Sequence, residues 1–158
     1  MMILMYLHSP NLALVQISAE PSKRQLFRVV DGDTIVVQGQ QVRLACIDAP
    51  EMKQSKGALA KATLAQLISR TIPQIINLGT DRYGRTVGII YANNRNINIS
   101  MVEKGYAFVE RRYLSVCPLP MQNQLINAES DAKRRGKGVW ADNPPEYPWI
   151  FRQNQRVR

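Results

Sequence analysis

The sequence predicts an α+β chain, mainly β with helices, on three observations. Residues 25–47 are β-branched runs parted by short Asp-Gly and Gly-Gln turns; an alanine- and leucine-rich stretch with one apolar helical face follows; two further β-branched runs come after it. A chain of 158 residues has the length of one domain and can bury roughly 68–70% of its unfolded surface without staples.

Residues 1–22 hold no Lys or Arg, and M-M-I-L-M-Y-L and L-A-L-V-Q-I-S-A are apolar around a polar H-S-P-N break. The break argues against a membrane span. A cleavable secretory signal ending near Ala19 is one reading, although a basic leading segment is missing; a disordered extension or a misassigned start is the other. The first places the protein outside the cell or in a periplasm, the second in the cytoplasm. Residues 1–24 are therefore set apart from a domain at 25–142 and a Pro-rich, basic tail at 143–158.

In the domain, Q-L-F-R-V-V, D-T-I-V-V-Q and Q-V-R-L-A-C-I form a β-meander, since Asp-Gly between β-branched runs is a strong hairpin signal. Pro50 ends the third strand. From Lys56 to about Arg70, Leu59, Ala62, Leu64, Leu67 and Ile68 track one helical face, and Pro73 stops it. P-Q-I-I-N-L-G and T-V-G-I-I-Y-A are the next strands, joined by T-D-R-Y-G-R and closed by an Asn93-Asn94 turn. Asn98 is expected to cap a short helix, I-S-M-V-E-K, that Gly105 terminates. A strand-like Y-A-F-V-E precedes a helix over 121–135, with Leu125, Ala128 and Ala132 inward and K-R-R at its end, where cations suit the dipole. Trp149 and Phe151 in the tail are expected to pack over the domain. A helix between the third and fourth of five short strands is the element order of a five-stranded OB-fold-type barrel, here with about three α-helices. Such barrels host many functions, so function has to be argued from a site.

Lys and Arg total 21 against 12 acidic residues, a formal charge of +9 that favours polyanionic partners, nucleic acid first among them. Two cysteines and one histidine exclude a disulfide framework, a structural zinc site and a histidine-based triad; Cys46, inside an apolar run, reads as a small core residue. What remains is carboxylates and arginines. Asp33 opens the second strand and Asp48 ends the third, so a meander sets them face to face. Like charges so close call for a cation between them, and carboxylates, a backbone carbonyl and waters suit Ca²⁺. Glu51, just past Pro50, can take a proton from a water. Arg43 and Arg85 lie at a strand start and a turn end, and the planar guanidinium suits phosphate oxygens. Each piece alone reads as a turn, a strand exit or a solvated side chain. Together they are the inventory of metal-assisted phosphodiester hydrolysis.

V-D-G-D-T (30–34 within V-V-D-G-D-T), R-L-A-C-I-D-A-P-E (43–51), D-R-Y-G-R (81–85), V-E-K-G-Y-A (102–107), A-E-S-D-A-K (128–133) and G-V-W (138–140) follow one another in an order and spacing that resembles the staphylococcal (thermonuclease) family of calcium-dependent nucleases. The resemblance runs from about Leu26 to Asp142. It implies that Asp33 and Asp48 ligate calcium together with the backbone carbonyl of Ala49, that Glu51 is the general base, and that Arg43 and Arg85 grip the scissile phosphate. Arg82 and Tyr83 fall on the turn that handles a neighbouring phosphate. Arg111 stands where the type enzyme has an aromatic near the base, with Tyr113 two residues later. The implied activity is hydrolysis of DNA and RNA at P–O5′, leaving 3′-phosphates, by a protein expected to be monomeric. The loop after Glu51 is shorter than in the type enzyme. Lys53, Lys56, Arg111, Arg112 and the Lys133–Lys137 cluster are candidates for backbone contacts by counterion release, the last also explicable as an ordinary helix end. The rivals are a noncatalytic OB-type nucleic-acid-binding module and a metal-dependent enzyme for a smaller phosphoester.

Overall fold

Strands β1 (Phe27–Val29), β2 (Thr34–Val37) and β3 (Gln40–Leu44) form the expected antiparallel meander in the computed structural model, which describes residues 26–69 and 71–156. The predictions for the N-terminal segment lie outside these residues. The β2–β3 turn falls on Gln38-Gly39, one residue before the expected Gly-Gln; both have positive φ, 50° and 82°, as a two-residue hairpin turn of matching twist requires.

The predicted third strand is cut in two. It leaves the sheet at Ala45 and Cys46, where Cys46 takes φ 66°, and resumes as β4 (Ile47–Asp48), which pairs with β8 (Phe108–Val109) instead. Two tethers account for the break. Asn98 donates to the Ala45 carbonyl at 2.9 Å, and Cys46 is bonded to Cys117 as a disulfide. Cys46 is thus buried as expected, but as one half of a cross-link rather than as a free core thiol.

Helix α1 (Gly57–Leu67) and β5 (Gln74–Thr80) lead to β6 (Thr86–Ala92), which lies parallel to β3 and antiparallel to β5. The main sheet runs β1-β2-β3-β6-β5, with the short β7 (Arg95–Asn96) hairpinned to β6 through Asn93-Asn94. Among the described residues no ladder joins β1 to β5, so the sheet is open, in a mixed α+β arrangement consistent with the OB-like expectation.

Helix α2 (Ile97–Glu103) is capped by Asn96, whose side chain accepts from the Ile99 N–H at 3.1 Å, and not by Asn98. Asn98 is buried inside the helix and binds the sheet backbone. After β8, a 3₁₀ turn (Arg111–Val116) leads into α3 (Leu119–Arg134). The tail holds a further helix, α4 (Pro148–Arg156), making four α-helices among the described residues where about three were expected. Ile35, Val42 and Leu44 from the sheet, Leu64 from α1, Met101 from α2 and Leu125 from α3 fill one core. No helix among the described residues is long and apolar enough to cross a membrane.

Candidate active site

Asp33 is set at the sheet end by a turn that only glycine allows. A Cβ on Gly32 would stand 2.7 Å from the methyls of both Ala49 and Ala60, so its absence lets the D-G-D turn press against the chain after β4 and against α1. The Asp33 N–H donates to Asp31 Oδ1 at 3.1 Å, an Asx turn that aims the Asp33 side chain inward. There Oδ2 accepts from the Ala49 N–H at 2.6 Å.

Asp48 lies on β4, 1% exposed. One arginine bridges the pair: Arg43 Nη1 is 2.8 Å from Asp33 Oδ2 and Nη2 is 3.0 Å from Asp48 Oδ1. Arg43 was expected at a strand start, but it is the last residue but one of β3 and pairs with Thr34, which brings it beside Asp33. Burial pushes the Asp33 carboxyl up to about 7, against the pull of Arg43 and the Ala49 N–H, and the neighbouring Asp31 and Asp48 charges add to the rise.

Glu51 follows Pro50 in an irregular loop, its side chain 37% exposed. The loop is pinned by Gln54, which accepts the Glu51 N–H at 2.8 Å and donates to the Glu146 carbonyl at 3.0 Å. Gly57 packs so closely that a Cβ there would fall 2.0 Å from the Glu51 carbonyl oxygen. The Glu51 carboxylate is joined to Asp48 by a second arginine. Arg152 on α4 places Nη1 2.8 Å from Glu51 Oε1 and 3.1 Å from Asp48 Oδ1, and Nη2 2.7 Å from Asp48 Oδ2. The hydrogen bond to Asp48, followed by that to Glu51, raises the Arg152 pKa further above its ordinary value.

Of the other sequence-derived candidates, Arg85 directly precedes β6, whose Val87 stands beside Arg43 in the ladder. Arg85 pairs with Asp81 at 2.7 Å inside its own turn. Burial alone would raise the Asp81 carboxyl, but bonds from the Arg85 guanidinium and from the Arg85 and Tyr83 N–H groups outweigh it and hold it below the usual range. Tyr83 is exposed, with the guanidiniums of Arg82 and Arg85 4.9 and 5.5 Å from its ring centre. Arg111 is ion-paired to Glu129 and Tyr113 is exposed. At the end of α3, Arg134, Arg135 and Lys137 gather on Asp131, the ordinary helix-end reading.

The staphylococcal nuclease homologue family matches residues 41–142, more than half of the chain. The chain belongs to this family. A micrococcal nuclease of Shigella flexneri is 38% identical over 142 residues, covering 82% of this chain and 79% of that protein. An uncharacterized endonuclease of Haemophilus influenzae is 35% identical over 145 residues, covering 89% and 78%. A staphylococcal-like nuclease of Arabidopsis thaliana is 33% identical over 116 residues, 73% of this chain and 34% of that larger protein.

The calcium that the family implies finds a fitting donor set. Arg43 touches Asp33 Oδ2 and Asp48 Oδ1 through its two Nη atoms, so the two carboxylates already face one positive group from adjoining sides. Among the described residues no three His, Cys, Asp or Glu side chains form a metal cage. Two carboxylates completed by a carbonyl and waters are an ordinary set for Ca²⁺. Gln54 and Arg152 were not foreseen. Pro148, well placed for the first turn of a helix, was the signal available for α4; nothing local marks Arg152 as reaching an acid 104 positions away.

Proposed function

We propose that this protein is a calcium-dependent nuclease that hydrolyses phosphodiester bonds of DNA and RNA at P–O5′ and leaves 3′-phosphate ends. The observation that carries the reading is the buried Asp33–Arg43–Asp48 bridge with Glu51 beside it, in a chain whose net charge is +9. A module that only binds a polyanion gains nothing by gathering three acids at one place, because each repels phosphate.

In this reading Asp33, Asp48 and the Ala49 carbonyl would hold calcium, whose charge would offset negative charge on the phosphoryl group. Glu51, open to solvent on one side, takes the proton from the attacking water. Arg43 presents its planar fork to the phosphate oxygens and stays charged throughout. Arg85 is the second phosphate-gripping arginine, with Arg82 and Tyr83 receiving the adjoining phosphate. Arg111 and Tyr113 line the path of the nucleotide. The Cys46–Cys117 bond supports an extracellular or periplasmic site of action, since disulfides persist in oxidising compartments.

The deciding experiment is hydrolysis of single-stranded DNA by the purified protein in millimolar Ca²⁺, with and without a chelator, followed by analysis of the product ends. The expected outcome is chelator-sensitive cleavage leaving 3′-phosphates. Salt-sensitive binding without cleavage would replace this reading with the noncatalytic binding module.

A further inference from the structure

The segment after residue 142 lies beyond the stretch that matches the family, yet it is built into the site. Its anchoring begins on the strand that carries Asp48. Phe108 stands opposite Asp48 in the β4–β8 ladder, fully buried. Tyr147 and Trp149 stack on each other at 4.7 Å and meet the Phe108 ring at 4.9 and 5.8 Å. Pro148 is buried at the first position of α4. The segment is docked on the same strand pair that presents the aspartate.

From this anchor two contacts reach the Glu51 loop. Glu146 receives Gln54, a 6%-exposed side chain that also holds the Glu51 backbone. Arg152, one turn into α4, ties the Glu51 carboxylate to Asp48 through a single guanidinium. Glu51 has no regular secondary structure to hold it, and a half-exposed carboxylate on a loop samples several rotamers. A general base works only while its oxygen stays within hydrogen-bond reach of the reacting proton.

We infer that Arg152 is a positioning residue of the active site: anchored on Asp48, it holds the Glu51 carboxylate in its working orientation, and α4 is the element that delivers it. The inference rests on the nuclease reading above. Asp48 serves as the fixed end because it is buried on β4 and its Oδ2, which Arg43 does not touch, takes Arg152 Nη2 at 2.7 Å, while Glu51 is the movable end. A groove of about 390 Å³ opens between Met52 and Lys53 on one side and Phe151 and Arg152 on the other, with Glu51 on its wall. Both ends of the Glu51–Arg152 contact are therefore reachable by a small solute.

The test is steady-state cleavage of single-stranded DNA in Ca²⁺ by the full chain and by Arg152→Ala and Arg152→Lys. Loss of a side chain that orients a working group costs about 10–100-fold. For Arg152→Ala a fall in kcat of that order is expected with KM nearly unchanged, a smaller fall for Arg152→Lys, and partial recovery of the Ala variant, not of the wild type, on adding millimolar guanidinium ion. Without any turnover, amide exchange over residues 49–56 should quicken in Arg152→Ala while that of β2, β3 and β6 stays as it was, which separates loosening of the loop from unfolding.

An Arg152→Ala protein with kcat equal to or above the wild type would overturn the inference, and would make Arg152 a plug that competes for Asp48. A raised KM at unchanged kcat would also overturn it, in favour of direct phosphate contact. A wild type that cleaves nothing overturns the nuclease reading along with this one. A cleaving wild type beside an unimpaired variant overturns this one alone.

Discussion

Asp33 and Glu51 are carboxylates with opposite environments, and the difference is testable in each. Asp33 is buried, and its folded pKa of about 7 lies above the ordinary 3.8. A raised acid pKa favours folding fully below the unfolded value, and that contribution is lost as pH rises through the folded one. In chelator, the stability of the wild type relative to Asp33→Asn should therefore shrink from about pH 4 to about pH 7 and level off above it, as read by denaturant unfolding. A gap that stays constant over that range would mean Asp33 is already ionised at its lower end. Glu51 is open to solvent and needed for proton transfer in the proposed reaction. Glu51→Gln should lower turnover by roughly 10²–10⁴-fold with DNA binding little changed, in a comparison of single-turnover rates and binding isotherms. Near wild-type turnover would remove Glu51 from that role. The acids and Arg43 were legible because they sit within a few residues of turns and strand ends whose geometry is local. Arg152 was not, because its partners lie 101 and 104 positions away and only the docking of a helix brings them together. Arg85 shows the converse limit: the motif names it, while the local turn ties it to Asp81.

At the scale of elements, the strands and helices followed from periodicity, and the errors cluster where a side chain from elsewhere decides the local conformation. The third run, Q-V-R-L-A-C-I, alternates well enough to be one strand, but Asn98 ends it by claiming the Ala45 carbonyl. Asn98 also donates to the Gly88 carbonyl at 3.2 Å and accepts the Ile90 N–H at 3.0 Å, so one side chain locks α2 to β3 and β6. In N-I-N, residues 96–98, either asparagine has the chemistry of a cap. The β6–β7 hairpin places Asn96 at the boundary and leaves Asn98 to the interior, and nothing local in the sequence carries that choice. Asn98→Ala would strand the Ala45 carbonyl and the Ile90 N–H at about 1–3 kcal/mol each where water does not replace the amide, while the Gly88 carbonyl keeps the Ala45 N–H at 2.8 Å, so a loss of ~2 kcal/mol or more is expected in chemical denaturation. A loss below ~1 kcal/mol would show that water takes over these bonds. Because Ala45 lies three residues before Asp48, calcium affinity measured by titration should weaken in the same variant.

Over the whole molecule, the element order pointed to the right class but not to the way the sheet is joined. The parallel pairing of β3 with β6 arises because α1 and β5 together make the crossover, and β4 leaves the main sheet to pair with β8. Two cysteines 71 positions apart carried no pairing signal either, since nothing short of the folded chain brings them within the 6.4 Å that separates their Cα atoms. Their bond spans the functional half of the fold. Cys46 stands two residues before Asp48, and Cys117 follows the 3₁₀ turn that carries Arg111 and Tyr113. Closing a loop of 71 residues restricts the unfolded chain, and loop entropy puts the stabilisation at about 4 kcal/mol. A Cys46→Ala, Cys117→Ala double variant should lose stability of that order, measured against the oxidised wild type by denaturant unfolding, and added reductant should bring the wild type down towards the variant. The tie also holds the 3₁₀ turn that carries Arg111 and Tyr113, the proposed nucleotide contacts, against the strand of Asp48, a proposed metal ligand. The double variant should therefore show a raised KM for DNA at temperatures where it is still fully folded, while calcium binding changes little, because Asp48 and Arg43 are held by their ladders and Asp33 by the Leu44 and Ala49 N–H groups, not by the disulfide. Equal KM values would confine the cross-link to stability and separate the turn at 111–116 from the placement of substrate.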